Sequence, residues 1–340
     1  MSEQNKRVVL AYSGGIDSTE AINKLKEQGY EIIALFFSML EHSDISIDTI
    51  KESAEGLGAT FDIYDIKDRF QREIIDNFTS EYIAGRTPAP CTRCNPLIKW
   101  YALNEYSKRH NIDKIATGHY FDITTYNNKL YVTKPRDARK DQSYYLWGLS
   151  QEILSKALTP MSQLIKEDIK QNNPSKKESM GVCFLKGLHY SDYITATCGA
   201  QQHGDIVKQS GEVVGQHVGI ANYTVGQRRG EGIPAGQYIT HIDATQNTIT
   251  VAPRTELYQT KLYVNSCNVV DEEILLGCEE ITIMVRGFGV NPEGYAHFAP
   301  HRDGYLITLD SPAYACALGQ PIVFYHEQRV IGGGYLQGVE

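Results

Sequence analysis

The chain has 340 residues, of which 41% are hydrophobic and 22% are charged. This length exceeds what one compact core supports, so two or three domains are expected, and the composition excludes wholesale disorder. The formal net charge of −8 argues against non-specific coating of nucleic acid. The longest apolar stretch, 32–40, is about half of the roughly 20 residues that span a bilayer, and the charged N-terminus leaves no room for a signal peptide. We therefore expect a cytoplasmic protein.

The first 120 residues alternate between strand-like and helix-like segments. Apolar runs predict strands at Val8–Ala11, Ile32–Phe37, Thr60–Ile66 and Lys114–Thr117, and helical spacing of apolar residues predicts a helix over Asp68–Ile83. Strands alternating with helices predict an α/β fold, a doubly wound parallel sheet with helices on both faces. Ligands of such sheets bind at the carboxyl ends of the strands.

The sequence pattern changes after about residue 140. Residues 141–200 are predicted to be mostly helical, with a polar break at Asn172–Ser179. From Gly204 onward, short strand-like runs are separated by turn signals such as Ser210-Gly211 and Gln246-Asn247. This part of the chain therefore predicts small β domains or a β-barrel.

The most specific motif is Tyr12–Ser18, with the sequence YSGGIDS, between the first predicted strand and a helix. Its two glycines let the backbone approach a ligand, and the Ser13 and Ser18 hydroxyls can donate to phosphate oxygens. The N-terminus of the following helix directs free amides to the same place. Bare phosphate would repel Asp17, so this residue predicts a bridging Mg²⁺. A tight turn with an Asp or Ser cap is the alternative, but the glycine pair exceeds what a cap requires.

Basic residues cluster locally on this acidic chain, at 134–140, at Arg228-Arg229 and at Lys176-Lys177. Each cluster taken alone is more simply interpreted as a solvated charged surface. Together they leave room for a local contact with phosphate groups, because such contacts depend on where the cations lie rather than on the net charge.

Seven cysteines without a secretory signal make a disulfide framework unexpected, so a special cysteine is expected to be catalytic or metal-binding. Cys94 precedes a predicted helix in which Asn95 is a candidate N-cap and Pro96 the first helical residue. A helix N-terminus and the neighbouring Arg93 would lower the pKa of the Cys94 thiol.

Two other interpretations of the cysteines stay open at this point. Cys91 and Cys94 have the spacing of half a zinc site, but no second Cys or His pair follows at ligand spacing. They also have the spacing of a redox dithiol. Cys183 by itself would be interpreted as a small buried hydrophobic residue.

The Tyr12–Ser18 motif resembles the pyrophosphate loop of the ATP pyrophosphatases, which cleave ATP between its α and β phosphates. The resemblance becomes closer when further motifs are added, and over about residues 7–335 the chain is similar to the tRNA-specific 2-thiouridylases. These enzymes place sulfur on C2 of the wobble uridine. The motifs that carry this similarity occur in the same order: Ser13–Ser18, Gly85–Pro88, Cys94-Asn95, Ile98-Lys99, Ala116–Tyr120, Lys140–Tyr144, Gly181–Phe184, Tyr223–Arg228, Gly319-Gln320 and Gly332–Gly334.

The resemblance implies a pyrophosphatase-type α/β domain, related to the adenine nucleotide alpha hydrolases, with a small central domain and a C-terminal β-barrel. The expected boundaries are 1–159 with 180–202, 160–179 with 203–266, and 267–340. Implied substrates and partners are ATP with Mg²⁺, the anticodon loop of tRNA, and a protein that donates persulfide sulfur, either a cysteine desulfurase or a relay protein. We expect a monomer.

The resemblance also implies roles for individual residues. Cys94 is expected to be the nucleophile, Cys183 the persulfide carrier, and Asp17 the catalytic carboxylate that holds Mg²⁺ through the nucleotide. The residues expected to bind ATP are Ala11, Tyr12, Ser13, Gly14, Gly15, Ile16, Asp17, Ser18, Phe37 and Gly118. The residues expected to contact tRNA are Ala89, Pro90, Cys91, His119, Lys140, Asp141, Gln142, Arg286 and Gln320.

The chain departs from the family pattern at three places. It has Ala89-Pro90-Cys91 where Asn-Pro-Asp or Asn-Pro-Cys is common. Any contact between position 89 and a base therefore lacks the side-chain amide of asparagine. The chain has Arg286-Gly287-Phe288 where an Arg-Tyr-Arg run is frequent, and the segment after Phe37 is shortened. Asp17, Cys94 and Cys183 are retained.

The implied reaction adenylates the C2 oxygen of uridine, and sulfur then arrives from a persulfide on Cys183. The persulfide attacks C2 directly, or Cys94 first frees hydrosulfide from it; both routes remain open. A small-molecule ATP-dependent ligase and a tRNA-binding or zinc-stabilised adaptor without ATP chemistry are the rival interpretations. The ligase would not need two cysteines or a C-terminal barrel, and the adaptor would not need Asp17.

Overall fold

The computed structural model describes residues 6–41, 46–172, 181–287 and 290–340. Lys176-Lys177, Phe288 and most of the predicted polar break lie outside these residues. The chain forms two compact units. The first consists of Met1–Ile74, Cys91–Met180 and Gln328–Val330, and the second of Ile75–Pro90, Gly181–Glu327 and Ile331–Glu340. The three-domain boundaries expected from the sequence stay a prediction.

In the residues that the structure describes, the first unit contains seven strands: β1 (Arg7–Ala11), β2 (Glu31–Ser38), β3 (Thr60–Asp65), β4 (Lys114–Ala116), β5 (Asp122–Tyr126), β6 (Lys129–Thr133) and β7 (Ala157–Leu158). Five of them form a parallel sheet in the order β3-β2-β1-β4-β7. The remaining two, β5 and β6, form an antiparallel hairpin. The doubly wound parallel α/β sheet predicted from the sequence is thereby confirmed.

Burial explains why these segments form the sheet. The residues of β2 from Ile32 to Phe37 are all buried, as expected for a strand covered by helices on both faces. The helix Ile16–Glu27 buries Ala21, Ile22 and Leu25 in a core cluster with Val8 and Leu10 of β1. The α-helices of this unit are Ile16–Glu27, Ile47–Gly56, Lys67–Phe70, Trp100–Arg109, Gln151–Lys156 and Lys166–Asn172.

Two helical stretches contain wider, π-helical turns. In the first, Lys67–Phe70 continues as the π-helix Gln71–Asp76 and the α-helix Asn77–Ile83, which confirms the helix predicted over 68–83. In the second, the α-helix Pro90–Cys94 continues as the π-helix Asn95–Lys99 before Trp100–Arg109. Single π turns inside α-helices are frequent at functional sites.

The described part of the second unit contains ten strands: β8 (Gly204–Lys208), β9 (Val213–His217), β10 (Tyr238–Asp243), β11 (Thr248–Ala252), β12 (Tyr258–Val269), β13 (Ile281–Met284), β14 (Ala296–His301), β15 (Gly304–Tyr314), β16 (Pro321–His326) and β17 (Arg329–Val339). A four-stranded sheet has the order β10-β11-β8-β9 and covers an isoleucine-rich core. The other six strands are hydrogen-bonded in the order β13-β16-β17-β12-β15-β14. The α-helices of the second unit are Asn77–Ile83, Tyr190–Cys198 and Glu272–Gly277.

The prediction for residues 141–200 is partly wrong. The described part of this region contains three short α-helices, two 3₁₀ turns and the strand β7, so it is less helical than its sequence indicated. The short strands predicted from Gly204 onward are confirmed. No described helix combines the length and apolar character that crossing a membrane requires.

Candidate active site

The loop between β1 and the helix Ile16–Glu27 lies at the carboxyl edge of the parallel sheet. The strand order reverses here, because β2 and β3 lie on one side of β1 while β4 and β7 lie on the other. Ligands of doubly wound sheets bind in the crevice at this switch point. Gly15 precedes the helix, and no side chain caps its first turn. The free amides and the positive end of the helix dipole can therefore bind an anion.

Hydrogen bonds within the loop maintain its shape. The Ser18 hydroxyl donates to the Gly15 carbonyl (3.0 Å) and its oxygen accepts from the Ser13 backbone N–H (3.3 Å). The Ser13 and Ser18 hydroxyl oxygens lie 3.3 Å apart. Gly14 has a φ of +75°, which favours glycine, and a Cβ there would lie 3.2 Å from Ile50. The glycines and serines of the motif thus form one curved stretch of backbone.

Gly118 follows β4 and packs directly on the start of the same helix. A Cβ at this position would lie 2.9 Å from the backbone nitrogen of Ser18 and 3.0 Å from the carbonyl carbon of Asp17. Side chains do not approach backbone this closely, so glycine is what allows the two loops to touch. The fold therefore brings together Gly118 and the motif that sequence analysis assigned to the same nucleotide.

Other residues expected to bind ATP contribute to the core through their side chains. Tyr12 is buried, and its hydroxyl lies 2.9 Å from that of Ser53. Ile16 and Phe37 are buried as well. Ala11 is the last residue of β1 and is partly buried. Any contact of Tyr12 or Ile16 with a nucleotide must therefore come mainly from the backbone.

Asp17 has a partner that the sequence analysis missed. The ammonium group of Lys166 donates to Oδ1 of Asp17, and the hydroxyl of Tyr120 donates to the same oxygen (3.0 Å). The side chain of Lys166 is only 3% exposed, whereas that of Asp17 is 36% exposed. A buried cation therefore lies beside the candidate phosphate loop. Lys166 starts a short helix 149 positions away in sequence, so no local pattern could have indicated it.

The geometry of Asp17 is compatible with the predicted Mg²⁺. The described protein groups that bond Asp17 contact its Oδ1, which leaves Oδ2 for another ligand. Mg²⁺ prefers carboxylate and phosphate oxygens and commonly binds through one or two carboxylates. Among the described residues, no group of three or more His, Cys, Asp or Glu side chains forms a metal cage. A metal at Asp17 would thus need oxygens from the nucleotide.

Gln142, one of the residues of this unit expected to contact RNA, is hydrogen-bonded to Tyr120. The Tyr120 backbone N–H donates to Oε1 of Gln142 (2.8 Å), and the Gln142 N–H donates to the Tyr120 carbonyl (3.0 Å). Lys140 ends a 3₁₀ turn, Ala138–Lys140. Asp141 accepts from the Ser143 N–H (2.9 Å). Tyr120 therefore bonds both to Gln142 and to Asp17 of the candidate phosphate loop.

The turn that carries Lys140 is also joined to Lys166. Asp137 caps this turn by accepting from the Arg139 N–H (3.1 Å), and its second oxygen accepts from the backbone N–H of Lys166 (2.9 Å). Asp137 is buried, while Arg136 and Arg139 are exposed. Two exposed cations therefore lie on a loop that Asp137 joins to Lys166, and Lys166 is the residue that pairs with Asp17.

The environment of Cys94 differs from the prediction. The helix begins at Pro90 rather than after Asn95, so Cys94 does not lie at a helix N-terminus, and Asn95 is not an N-cap. The Asn95 amide instead donates to the Tyr145 carbonyl (3.1 Å). Arg93 forms an ion pair with Glu73 (3.0 Å), so its positive charge is directed to that carboxylate rather than to the Cys94 thiol. Cys94 is 6% exposed.

Cys183 has the opposite environment, in the second unit. It is exposed at the start of a single 3₁₀ turn, Cys183–Leu185, which ends at Lys186 with a φ of +48°. The next residue, Phe184, is buried with its ring centroid 5.0 Å from that of Phe78 and 5.4 Å from that of Tyr193. Aromatic packing thus anchors the turn while the thiol stays accessible. All seven cysteines lie in the described residues, and no disulfide joins any two of them.

Four further residues expected to contact RNA lie in the second unit. Gln320 is partly buried, and its carbonyl accepts from the Leu336 N–H (2.9 Å). Arg286 is partly buried as well, and its guanidinium donates to the Ala315 carbonyl. Pro90 begins the helix that contains Cys94, and Ala89 precedes it. Backbone bonds therefore already engage Gln320 and Arg286.

Three family models match consecutive parts of the chain. Residues 6–187 match a tRNA methyl transferase HUP domain, residues 191–253 a tRNA methyl transferase PRC-barrel domain, and residues 259–336 an aminomethyltransferase beta-barrel domain. The matches and the parallel sheet confirm the predicted class of protein: an α/β nucleotide-binding-type domain of the adenine nucleotide alpha hydrolase kind, followed by a central domain and a C-terminal β-barrel.

Relatives that match nearly the whole chain identify the family within this class of proteins. The tRNA-specific 2-thiouridylase MnmA 1 of Bacteroides fragilis is 33% identical, covering 99% of this chain and 98% of the relative. The tRNA-specific 2-thiouridylase MnmA of Clostridium perfringens is 32% identical, and the match covers 98% of this chain and 99% of the relative. That of Amoebophilus asiaticus is 36% identical, and the match covers 97% of this chain and 95% of the relative. The chain belongs to the tRNA-specific 2-thiouridylase family.

Proposed function

We propose that the protein catalyses ATP-dependent 2-thiolation of the wobble uridine of tRNA, releasing AMP and pyrophosphate. The observation that carries the proposal is the helix N-terminus at the sheet's switch point, without a side-chain cap and beside Asp17 and buried Lys166. Such a site offers amides and a cation to phosphate groups. Family membership supports tRNA as the second substrate.

The first step activates a poor electrophile. The C2 carbonyl oxygen of uridine attacks the α phosphorus of ATP, and the bond to the β phosphate oxygen breaks, so that pyrophosphate leaves and the base is O-adenylated. The loop amides between Gly14 and Ser18 stabilise the charge that develops on the leaving group, and Lys166 adds a positive charge next to it. Mg²⁺ held by Asp17 would supply further charge neutralisation when bound.

The second step replaces the activated oxygen with sulfur. In one route, the terminal sulfur of a Cys183 persulfide attacks C2 and AMP departs; the Cys94 thiolate then attacks Sγ of Cys183 and releases the thiolated base. In the other, Cys94 attacks Sγ of Cys183 first and frees hydrosulfide, which attacks C2. Both routes end in a Cys94–Cys183 disulfide, so a two-electron thiol reductant must restore the enzyme.

RNA contacts are proposed for residues of both units. In the first unit these are Cys91, His119 and the segment Lys140–Gln142. In the second they are Ala89, Pro90, Arg286 and Gln320. An anticodon-loop base can be unstacked at low cost, which gives the enzyme access to C2. The exposed thiol of Cys183 fits loading by a donor protein. The cytoplasmic location and monomeric state also stay predictions.

Mass spectrometry of tRNA nucleosides tests the function. The protein is incubated with unmodified tRNA, ATP, Mg²⁺ and a persulfide source, and we expect 2-thiouridine at the wobble position only when ATP is present. A matched reaction with S-adenosylmethionine replacing ATP is the control, because two of the matching domain models carry the description of a methyl transferase. A methylated nucleoside in that control, with no thiouridine from ATP, would overturn the proposal.

A further inference from the structure

A buried threonine fixes the state of a histidine beside the nucleotide loop. Thr117 follows β4 and is 2% exposed. Its hydroxyl oxygen accepts from the backbone N–H of His119 (3.2 Å) and lies 2.8 Å from Nδ1 of the same residue. Two neighbouring groups therefore share one hydroxyl, and a hydroxyl has one proton and two lone pairs.

The positions of the protons follow from this sharing. If Nδ1 carried the ring proton, both bonds would use the Thr117 oxygen as acceptor, and its own buried proton would have no partner among the described residues. Leaving a buried donor unpaired is costly. If the hydroxyl donates to Nδ1 instead, every group in the pair is satisfied. The second arrangement places the ring proton of His119 on Nε2.

The surroundings also keep this imidazole uncharged. Burial of the ring and, to a smaller extent, the positive charge of Lys99 lower the pKa of His119 to about 3. The ring is then neutral throughout the range in which enzymes of this kind work. A neutral ring with Nδ1 occupied and Nε2 protonated is a hydrogen-bond donor, and it has no free site for taking up a proton.

The location of His119 indicates what it donates to. It follows Gly118, which touches the backbone of Asp17 and Ser18, and it lies past the carboxyl end of β4 at the switch point of the sheet. Nε2 makes no hydrogen bond to the described residues. Nucleotide phosphates and RNA base carbonyls both present oxygen acceptors, and both would enter this crevice if the proposed function holds.

We propose that Thr117 is a positioning residue that holds His119 as a neutral Nε2–H donor, and that this donor binds an oxygen acceptor of a substrate. The proposal rests on the proposed function for the identity of the substrates. It assigns His119 a hydrogen bond rather than a charge contact with phosphate, and it excludes a general-base role for His119, since the nitrogen that faces the substrate already carries the proton.

The tautomer can be measured without any turnover, by NMR on protein labelled with ¹⁵N in its histidine rings. We expect Nε2 of His119 to be protonated, Nδ1 to be unprotonated, and neither to change between pH 5 and 8. Thr117→Val should remove this preference, whereas Thr117→Ser should retain it. A ring of His119 that is protonated on Nδ1, or that titrates near neutrality, overturns the proposal even if the enzyme thiolates tRNA normally.

Binding measurements with two substitutions of His119 identify the acceptor. Glutamine can place an amide N–H near the position of Nε2, whereas asparagine reaches only the position of Nδ1. Loss of one neutral hydrogen bond weakens binding by about three- to tenfold, so we expect this loss for His119→Asn and recovery in His119→Gln. A loss confined to tRNA assigns the acceptor to RNA, and a loss confined to ATP assigns it to the phosphates.

Equal binding by both variants and the wild type, for both substrates, would contradict a donor role for His119. Thermal unfolding of each variant checks that the differences do not come from partial unfolding. If the wild type makes no thiouridine while the NMR result and the binding differences hold, the proposed function fails and the inference about Thr117 and His119 survives.

Discussion

The proposed nucleotide loop and the two cysteines proposed to transfer sulfur are held in different ways. The loop and the groups that hold it, from Ser13 to Ser18 together with Gly118 and Lys166, lie within one unit and are joined by close backbone packing and by buried polar contacts. The two cysteines lie in different units. One thiol is buried in a helix, and the other is exposed on a single turn.

This difference indicates that the two half-reactions can be separated. Charge stabilisation in phosphoryl transfer depends on groups that are already in position, and the loop meets this condition within a single unit. Thiol exchange depends on access to the attacked sulfur, and exposed Cys183 is suited to receive sulfur from another protein. Variants should therefore affect adenylation or sulfur transfer, but not both.

The largest expected effect is that of removing either thiol. Cys94→Ser and Cys183→Ser should each reduce thiolation below detection while ATP binding remains, since neither residue belongs to the nucleotide loop. Cys94→Ser should still accept a persulfide on Cys183, visible as a mass increase of one sulfur atom. Cys198→Ser removes another exposed thiol and serves as the control with normal activity. Full activity of either of the first two variants refutes the two-cysteine scheme.

Replacement of Lys166 should affect the other half-reaction. Lys166→Met leaves the Asp17 carboxylate without its cation in front of the phosphate loop, so AMP formation should fall on the order of 10²-fold, comparable to loss of one preorganised donor. Persulfide loading of Cys183 should not change. Lys24→Met, which removes a partly buried cation that pairs with Glu27 on the helix Ile16–Glu27, provides the matched control. AMP formation within twofold of the wild type would show that Lys166 has only a structural role.

The contrast in thiol exposure predicts a difference in alkylation rate. A maleimide should modify Cys183 faster than Cys94, on the order of 10-fold, because Cys94 is buried and reactivity requires access to the thiolate. Peptide mass spectrometry over a time course measures both rates in one sample. Equal rates, or faster modification of Cys94, would contradict the exposures described for the two thiols.

The smallest expected effect concerns the contact between the two loops. Gly118→Ala would place a Cβ 2.9 Å from the Ser18 nitrogen, so the loop must shift by a few tenths of an ångström. We expect ATP to bind about three- to tenfold more weakly and the free energy of unfolding to fall by about 1–3 kcal/mol. Gly56→Ala, where the new Cβ would have no atom within 4 Å apart from its chain neighbours and its own helix backbone, should bind ATP normally.

Much of the geometry of the candidate nucleotide site could be predicted from sequence because its determinants are local. A buried strand, a glycine pair with two serines and the beginning of a helix all lie within the first 18 residues. Backbone geometry alone therefore brings them together. Lys166, Tyr120 and Asp137 were not predicted because their roles depend on contacts across 29 to 149 positions. A partner that is distant in sequence does not alter the local spacing of apolar residues or the choice of turn residues, so these patterns cannot reveal the contact.

Two errors have local explanations. Asn95-Pro96 has the pattern of a helix start, but the helix begins at Pro90 and accommodates Pro96 in a π-helical turn, packed on Gly148. Tertiary packing thus outweighed capping preference. The β5–β6 hairpin was overlooked although Asn127 and Asn128, both with positive φ, are typical of its tight turn. The two-residue strand β7 is too short for any sequence pattern.

The adenylation step is tested most directly by following the oxygen atom that sulfur replaces. A tRNA carrying ¹⁸O at C2 of the wobble uridine is incubated with ATP, Mg²⁺ and persulfide-loaded enzyme, and the nucleotide products are analysed by mass spectrometry. We predict that the label appears in the phosphate of AMP, in an amount equal to the 2-thiouridine formed. Unlabelled AMP, or ADP as the nucleotide product, would contradict attack of the uridine oxygen on the α phosphate.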